Sequence, residues 1–151
     1  MNIRKAAIHE ADLVSDLCFR SKAYWGYSEE FMEACREDLT ISANDIETSL
    51  VYVIEEDSGI KGFMGLERSE DRILLGYFFI DPDAIGKGYG KALWEHMIQV
   101  VKSLNERAVL IHSDPYAEEF YLARGAVRIG EIESTIIPGR KLPLLHFEIR
   151  D

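Results

Sequence analysis

The sequence predicts an α/β protein, with one mixed sheet and helices on both faces. Three features lead to this: a meander of three strand patterns, a glycine-rich turn that opens a long amphipathic helix, and a short apolar strand after that helix. A meander pairs antiparallel and a strand–helix–strand unit pairs parallel, which favours a mixed sheet over a regular doubly wound one. The 151 residues, 47% of them hydrophobic, fit a single domain over residues 1–151.

The N-terminal third predicts one strand and two helices. Residues 3–8 form a short strand pattern, and residues 11–24 carry apolar side chains at helical spacing until Gly26 interrupts them. Ser28 is a suitable N-cap, and acidic residues follow it in the first turn of the second helix. The apolar stripe of that second helix is Phe31, Cys35 and Leu39.

The middle of the chain predicts the meander. β-Branched and aromatic residues mark strands at 50–54, 61–67 and 73–80. The third strand is almost wholly apolar, so we expect both of its faces to be covered. Turns are expected at residues 57–59, 70–71 and 81–83.

The C-terminal half predicts two helices and three strands. The first helix has one apolar face, and a short buried strand at 108–111 follows it. Asp114 and Pro115 predict the N-cap and first position of the second helix, which runs to Arg124 and stops at Gly125. Strands at 126–132 and 142–149, joined through Pro138-Gly139, complete the chain. The apolar face of the first helix is Leu93, Met97, Val100, Val101 and Leu104.

Composition and charge exclude several classes of binding partner and cofactor. A net charge of −10 repels phosphates and argues against general nucleic-acid binding; it suits either a cationic substrate or solubility alone. Cys18 and Cys35 lie in apolar helical patterns and are too few for a disulfide framework or a zinc site. Neither a signal-type segment nor an apolar run of membrane-spanning length is present. We therefore expect a cytoplasmic protein without a metal or a membrane partner.

The segment Gly86-Lys87-Gly88-Tyr89-Gly90 predicts an anion site. It joins an apolar strand to a helix, where backbone N–H groups and the helix dipole favour negative charge. Lys87 and Lys91 add local positive charge. The spacing fits neither the P-loop nor the Gly-x-Gly-x-x-Gly dinucleotide pattern, and a glycine turn without a ligand remains the alternative.

The same stretch resembles the acyl-CoA-binding motif of the GNAT superfamily of N-acetyltransferases, Gln/Arg-x-x-Gly-x-Gly/Ala after the fourth strand. Gly88 and Gly90 match its small positions and Leu93 fits the helix that follows, whereas Ile85 replaces the Gln or Arg. That replacement removes one side-chain contact, but backbone amides supply much of the pyrophosphate binding in the family.

Residues 114–126 are similar to the later motif of that superfamily. Ala117, Phe120-Tyr121, Arg124 and Gly125 fit it, while Asp114 stands where Asn is common and Ala126 where Phe is common. An ordinary capped amphipathic helix is the alternative for this segment alone. The two motifs occur in the family's order.

The resemblance implies a GNAT-like fold: a mostly antiparallel sheet of about seven strands, splayed at its centre and flanked by about four helices. It also implies acetyl-CoA as cosubstrate, with no metal, and direct attack by an amine in a ternary complex. The thioester oxygen would accept a hydrogen bond from an N–H near Phe79 or Ile80. The expected cofactor contacts are Phe79, Ile80, Ile85, Gly86, Lys87, Gly88, Tyr89, Gly90, Lys91, Asp114, Ala117 and Phe120.

The resemblance places a general acid at Tyr121, whose hydroxyl is protonated at neutral pH. Glu67 is the first candidate base and His112 the second. A solvated carboxylate is the alternative for Glu67, and packing or a hydrogen bond is the alternative for His112. Relay through water is open for both.

The acceptor pocket is expected between the first two helices, at Lys22, Tyr24, Trp25 and Tyr27, although packing alone explains these aromatics equally well. The segment 136–140 would complete the pocket, form a homodimer contact or be a plain surface hairpin. The predicted function is acetylation of a small or amino-acid-like amine. The alternatives are a non-catalytic acyl-CoA-binding regulatory domain and a protein or peptide acetyltransferase.

Overall fold

The centre of the fold is a mixed sheet with seven strands in the described part of the chain. The computed structural model describes residues 1–69, 71–134 and 137–150. Glu70 of the predicted turn at 70–71 and Ile136 of the segment 136–140 lie outside them. The strands are β1 (Asn2–Lys5), β2 (Leu50–Glu56), β3 (Gly59–Arg68), β4 (Ile73–Ile80), β5 (Ala108–His112), β6 (Val127–Glu133) and β7 (Lys141–Glu148).

The strand order is β1-β2-β3-β4-β5-β7-β6. Every neighbouring pair is antiparallel except β4 and β5, which are parallel because a helix connects them. The predicted mixed, mostly antiparallel sheet is confirmed.

The sheet opens between β4 and β5. These strands are paired only at Leu74–Leu110 and Leu75–Ile111. On the other edge of β4, Gly65 faces Tyr77 while Leu66 faces Leu75, so Gly76 is an extra residue that forms a bulge. A bulge bends its strand and increases the local twist. The second half of β4 therefore leaves β5 and keeps only its pairing with β3.

Helices cover both faces of the sheet. Because side chains alternate along a strand, Phe63 packs into the core beneath α1, α2 and α3, whereas Met64 packs beneath α4 and α5. The helices are α1 (Ala11–Ala23), α2 (Glu29–Cys35), α3 (Ala43–Thr48), α4 (Tyr89–Ser103) and α5 (Glu118–Ala123), with short 3₁₀ turns at Ile8–Glu10 and Pro82–Ala84.

Several predicted boundaries are wrong near the N-terminus. The first strand ends at Lys5 rather than at residue 8, because Ile8 opens a 3₁₀ turn. Helix α2 ends at Cys35, and Leu39 of the expected stripe is buried beyond it. Helix α3 was not predicted. It is capped by Ser42, whose side chain accepts from the N–H of Asp45.

Two further predictions fail near the opening between β4 and β5. The expected full cover of β4 is not found, since only Ile73 and Leu75 are buried, whereas its other residues are half-buried or exposed. The second helix of the C-terminal half begins at Glu118 rather than at Pro115. Asp114 instead accepts from the N–H of Tyr116 in a preceding turn. The predicted stop at Gly125 is confirmed by its φ of 103°.

Candidate active site

A cleft of about 390 Å³ occupies the opening between β4 and β5. Its walls are the second half of β4, the glycine turn before α4, helix α5 and the C-terminal end of α1. Because α1 covers one face of the sheet and α5 the other, the cleft connects the two sides of the molecule. A ligand lying in it would be reached from both faces.

The edge of β4 supplies backbone donors to this cleft. The N–H of Asp81 donates to the carbonyl of Lys61 on β3, at 2.8 Å. Successive N–H groups of a strand point to opposite edges, so the N–H of Phe79 also faces β3. The N–H groups of Phe78 and Ile80 consequently face the cleft. Of the two donors expected from the sequence, Ile80 has the required direction and Phe79 does not.

The glycine turn places the start of α4 at one end of the cleft. Ile85 has φ −62° and ψ 139°, and Gly86 follows with φ 82°, as in a type II turn. Gly88, the N-cap of α4, has φ 89°. Both positive angles suit glycine and strain other residues.

The first amides of α4 are free to bind a ligand. Among the described residues, none accepts a hydrogen bond from the N–H of Gly88, Tyr89, Gly90 or Lys91. These groups lie at the positive end of a 15-residue helix. Free amides and helix dipole together make an anion site at this end of the cleft.

The side chains of the turn divide into two groups. Ile85 and Lys91 line the cleft, as do the backbones of the three glycines, whereas the side chains of Lys87 and Tyr89 do not. The hydroxyl of Tyr89 donates to Glu56 at 3.2 Å, on the far side of the turn. Of the predicted cofactor contacts, Tyr89 can therefore contribute its amide alone.

Gly90 is required for close packing. A Cβ at Gly90 would lie 3.1 Å from Cε1 of Phe120, closer than side chains ordinarily approach. The absence of a side chain lets the start of α4 approach α5. Phe120 and Ala117, both predicted cofactor contacts, line the cleft beside it.

Tyr121 lies inside the cleft wall. Its ring packs against Phe78, Trp94 and Phe120. Its hydroxyl makes no hydrogen bond to any described residue. The hydroxyl oxygen is not fully buried, so it remains accessible from the cleft. Burial, with a smaller contribution from Asp114, raises the pKa of Tyr121 above its usual 10. The hydroxyl is thus a permanent donor at neutral pH.

The two candidate bases line different pockets but interact, since the charge of Glu67 raises the pKa of His112 against the larger effect of burial. His112, at the end of β5, lines the cleft, and burial followed by the nearby Arg72 lowers its pKa below 6.5. The imidazole is therefore neutral at pH 7 and able to accept a proton. Glu67 instead lines a separate small pocket with Tyr77 and Asp45. The sequence ranked Glu67 first, but the structure brings only His112 into the main cleft.

The α1 side of the cleft contains a network of charged and polar side chains. Lys22 Nζ donates to Asp114 Oδ2 at 2.9 Å, with both side chains only 13–14% exposed. The hydroxyl of Tyr27 donates to the same carboxylate, and Arg140 donates to that hydroxyl at 2.9 Å. Asp114, predicted as a cofactor contact, is thus engaged on the α1 side.

Aromatic side chains also line the α1 side of the cleft. Trp25 stacks on Tyr116 with ring centroids 5.5 Å apart, and both line the cleft. Of the predicted acceptor residues, Lys22 and Trp25 reach the cleft, whereas Tyr24 is 56% exposed outside it and Tyr27 lies behind the wall.

Sequence reasoning missed two residues on this side, since Ser21 and Tyr116 both line the cleft. The position of Ser21 one residue before a predicted acceptor residue offered a weak signal, and no local pattern marks Tyr116. Arg140, which braces Tyr27 from behind, belongs to the segment 136–140 that was expected to complete the pocket as one of three alternatives.

Two general findings accompany this geometry. In residues 1–69, 71–134 and 137–150, no group of three or more His, Cys, Asp or Glu side chains could hold a metal ion. The helices of the same residues are all too short or too polar to cross a membrane.

Comparison with known proteins gives one family match. A family model described as an acetyltransferase (GNAT) domain matches residues 13–134. No curated protein sequence matches the chain.

Solved structures are similar in fold at low identity, and identities of 18–19% establish the fold alone. The PaiA N-acetyltransferase of Thermoplasma acidophilum, in complex with coenzyme A, has a TM-score of 0.82 at 18% identity, covering 97% of this chain and 98% of its own. The ribosomal-protein-S18-alanine N-acetyltransferase of Escherichia coli has a TM-score of 0.73 at 18% identity, covering 99% and 94%. The N-acetylglutamate synthase of Neisseria gonorrhoeae, complexed with coenzyme A and N-acetyl-glutamate, has a TM-score of 0.71 at 19% identity, covering 99% and 35%.

Proposed function

Since this chain belongs to the GNAT family of acetyltransferases, as the match over residues 13–134 establishes, we propose that it acetylates a small or amino-acid-like primary amine with acetyl-CoA. The solved structures from T. acidophilum and N. gonorrhoeae contain coenzyme A, which supports this cosubstrate. The observation that carries the proposal is the cleft through the split sheet. Its walls provide free amides at the start of α4, an enclosed tyrosine, a neutral histidine, and a group of aromatic and charged side chains on the α1 side.

The proposed reaction is a direct acyl transfer. The amine nitrogen attacks the thioester carbonyl carbon, a C–N bond forms, and the C=O electron pair moves onto oxygen. The tetrahedral species then collapses as the C–S bond breaks. The nitrogen loses one proton and the thiolate gains one, so the products are an amide and free coenzyme A. No electrons are exchanged with any other reactant.

The glycine turn would hold the pyrophosphate of the cosubstrate. The unpaired N–H groups of Gly88, Tyr89, Gly90 and Lys91 supply donors, and the dipole of α4 favours the negative charge. The side chains of Lys91 and Arg124 line the same part of the cleft. These donors compensate for Ile85, which replaces the Gln or Arg of the family motif.

The split in the sheet would orient the thioester. The acetyl end would lie along the free edge of β4, where the N–H groups of Phe78 and Ile80 face the cleft. Either group can donate to the oxygen as it becomes negative. A preorganised donor of this kind typically contributes a factor of roughly 10²–10³ in kcat.

Tyr121 would serve as the general acid. Burial keeps its hydroxyl protonated, and that hydroxyl has no competing protein acceptor among the described residues. It can therefore donate to the sulfur as the C–S bond breaks. A thiolate confined in the same desolvated cleft is also more basic than in water, which brings the two proton affinities closer.

His112 would accept the proton of the amine, directly or through water. It lines the cleft and is neutral at pH 7 because burial lowers its pKa. Glu67 is kept as a more remote alternative, since it lies in the neighbouring small pocket rather than in the cleft.

Two measurements on the purified full chain test the proposal. The first is the shift in Tm on adding coenzyme A, which a ligand of the folded state raises. The second is thiol release from acetyl-CoA with a panel of primary amines. We expect a rise in Tm and amine-dependent thiol release. A rise without turnover of any amine would indicate a non-catalytic acyl-CoA-binding domain, and no rise at all would reject the site.

A further inference from the structure

We propose that the acceptor amine carries a carboxylate, which binds to Lys22 and Ser21 on the α1 side of the cleft. This inference depends on the function proposed above and names the substrate class for the same site. It follows from a charge imbalance and from two unused hydrogen-bonding groups in the cleft wall.

The cleft is positive in a strongly acidic protein. The chain has a net charge of −10. Yet among the described residues that line the cleft, Asp114 is the single carboxylate, against the cations Lys22, Lys91 and Arg124. Lys91 and Arg124 belong to the walls formed by the start of α4 and by α5, where the cosubstrate would lie. Lys22 belongs to α1, which covers the other face of the sheet, so a second anion could reach it from that side.

Asp114 does not fully neutralise Lys22, because two cations share it. Lys22 Nζ lies 2.9 Å from Oδ2 of Asp114, and a guanidinium nitrogen of Arg140 lies 3.8 Å from the same oxygen. The nearest partner of Arg140 is the neutral hydroxyl of Tyr27, at 2.9 Å. The three charged side chains are at most 19% exposed. Apart from Asp114 the two cations face the rings of Tyr27 and Phe31, so among the described residues one unit of positive charge has no carboxylate partner. A bound anion would supply that partner.

Lys22 and Ser21 also have unused hydrogen-bonding capacity. An ammonium group has three donors, and among the described residues Asp114 is the one hydrogen-bond partner of Lys22. The hydroxyl of Ser21 makes no hydrogen bond to a described residue. Its oxygen is not fully buried, so it is accessible from the cleft that Ser21 lines. An ammonium and a hydroxyl that line the same cleft suit the two oxygens of a carboxylate.

The rest of this side fits an amino-acid-like molecule. The stacked rings of Trp25 and Tyr116 offer an apolar wall for a side chain. His112 lines the same cleft and would accept the proton of the amine. A carboxylate, a side chain and an amine thus each have a matching group within one cleft.

Matched ligands test the inference. Thiol release is measured with several L-amino acids and, for each, its carboxamide, which keeps the amine and side chain but lacks the charge. We expect wild type to have a kcat/KM for the acids at least tenfold above that for the carboxamides. In Lys22→Met this ratio should fall by roughly tenfold to a hundredfold, the usual effect of losing one charged hydrogen bond. Lys22→Arg should retain part of the preference.

A control variant and a binding measurement isolate the effect. Lys5→Met makes the same change in net charge at an exposed residue of β1, and its ratio should match wild type. A Tm shift with coenzyme A establishes that Lys22→Met is folded. Binding of each acid and carboxamide to the coenzyme A-loaded protein by calorimetry provides a readout that does not need turnover.

The outcomes separate this inference from the proposed function. Carboxamides used or bound as well as the acids by wild type would overturn the inference, as would an unchanged ratio in Lys22→Met. If neutral amines are then acetylated efficiently, the proposed function stands without it. Preferential binding of the acids with no acetylation would support the carboxylate site and reject the enzyme.

Discussion

Replacing Tyr121 by Phe removes one oxygen atom from the cleft and should leave the rest of the molecule intact. The hydroxyl has no hydrogen bond to a described residue, so no partner loses an interaction. The ring keeps its packing against Phe78, Trp94 and Phe120. We therefore expect the free energy of unfolding to change by less than about 1 kcal/mol.

The effect on turnover should be large. A positioned general acid typically contributes a factor of roughly 10²–10⁴, so kcat of Tyr121→Phe should fall by that factor. This corresponds to about 3–5 kcal/mol of activation free energy. Because the pKa of Tyr121 is raised above 10, its ionisation should not limit wild-type activity below pH 10.

The assay is thiol release at saturating acetyl-CoA, together with a titration of coenzyme A affinity. Tyr52→Phe is the matched control, because its hydroxyl on β2 also has no hydrogen bond to a described residue and lies outside the cleft. A kcat for Tyr121→Phe within threefold of wild type would refute the acid role. A parallel loss of coenzyme A binding would assign Tyr121 to packing or binding instead.

Three further predictions concern the base, the glycine turn and the fold. The pKa of His112 is lowered, so its protonation, which would remove the base, should reduce kcat/KM only below pH 6.5. This low-pH decrease should disappear in His112→Gln, and an unchanged decrease would contradict the role of His112. Gly90→Val should press on Phe120 and weaken coenzyme A binding tenfold or more by calorimetry, whereas Gly130→Ala, with nothing within 4 Å, should not. Glu10 has a pKa of about 2 because its arginine partner on β1 donates to it, so its stabilisation is complete above about pH 4.5 and lost as pH falls toward 2. Glu10→Gln should cost about 2 kcal/mol in urea unfolding at pH 7 and less at pH 3, and equal losses at both would be inconsistent with this account.

Local sequence patterns predicted helix α4 and the glycine turn before it, because both depend on residues that are close in sequence. The apolar stripe of α4 fixed that helix, and the φ values of Gly86 and Gly88 explain why glycine occurs there. Each of these predictions depends on residues within a few positions of one another. The expectation that the glycine turn and Tyr121 serve one site came instead from the resemblance to the GNAT motifs.

Short elements were harder to predict. Helix α3 has six residues, too few for an apolar stripe, and its sequence signal was the capping box of Ser42 and Asp45. Asp114 has the residue type and the following proline of a helix cap. It caps a turn at residues 115–117 that leads into α5, and its carboxylate also accepts hydrogen bonds from Lys22 and Tyr27.

Contacts between distant residues could not be predicted at all. The separation of β4 from β5 depends on the bulge at Gly76, which exists only once β3 has paired with β4. The bond between Arg140 and Tyr27 spans 113 positions. Which of His112 and Glu67 lines the cleft is also decided by tertiary structure rather than by a local pattern.

A crystal structure of the full chain with coenzyme A tests the central claim most directly. The pyrophosphate should lie within about 3.2 Å of the N–H groups of Gly88, Tyr89, Gly90 and Lys91. The pantetheine arm should run between β4 and β5 and end beside Tyr121. A pyrophosphate bound elsewhere, or a cleft left empty at saturating coenzyme A, would contradict the account.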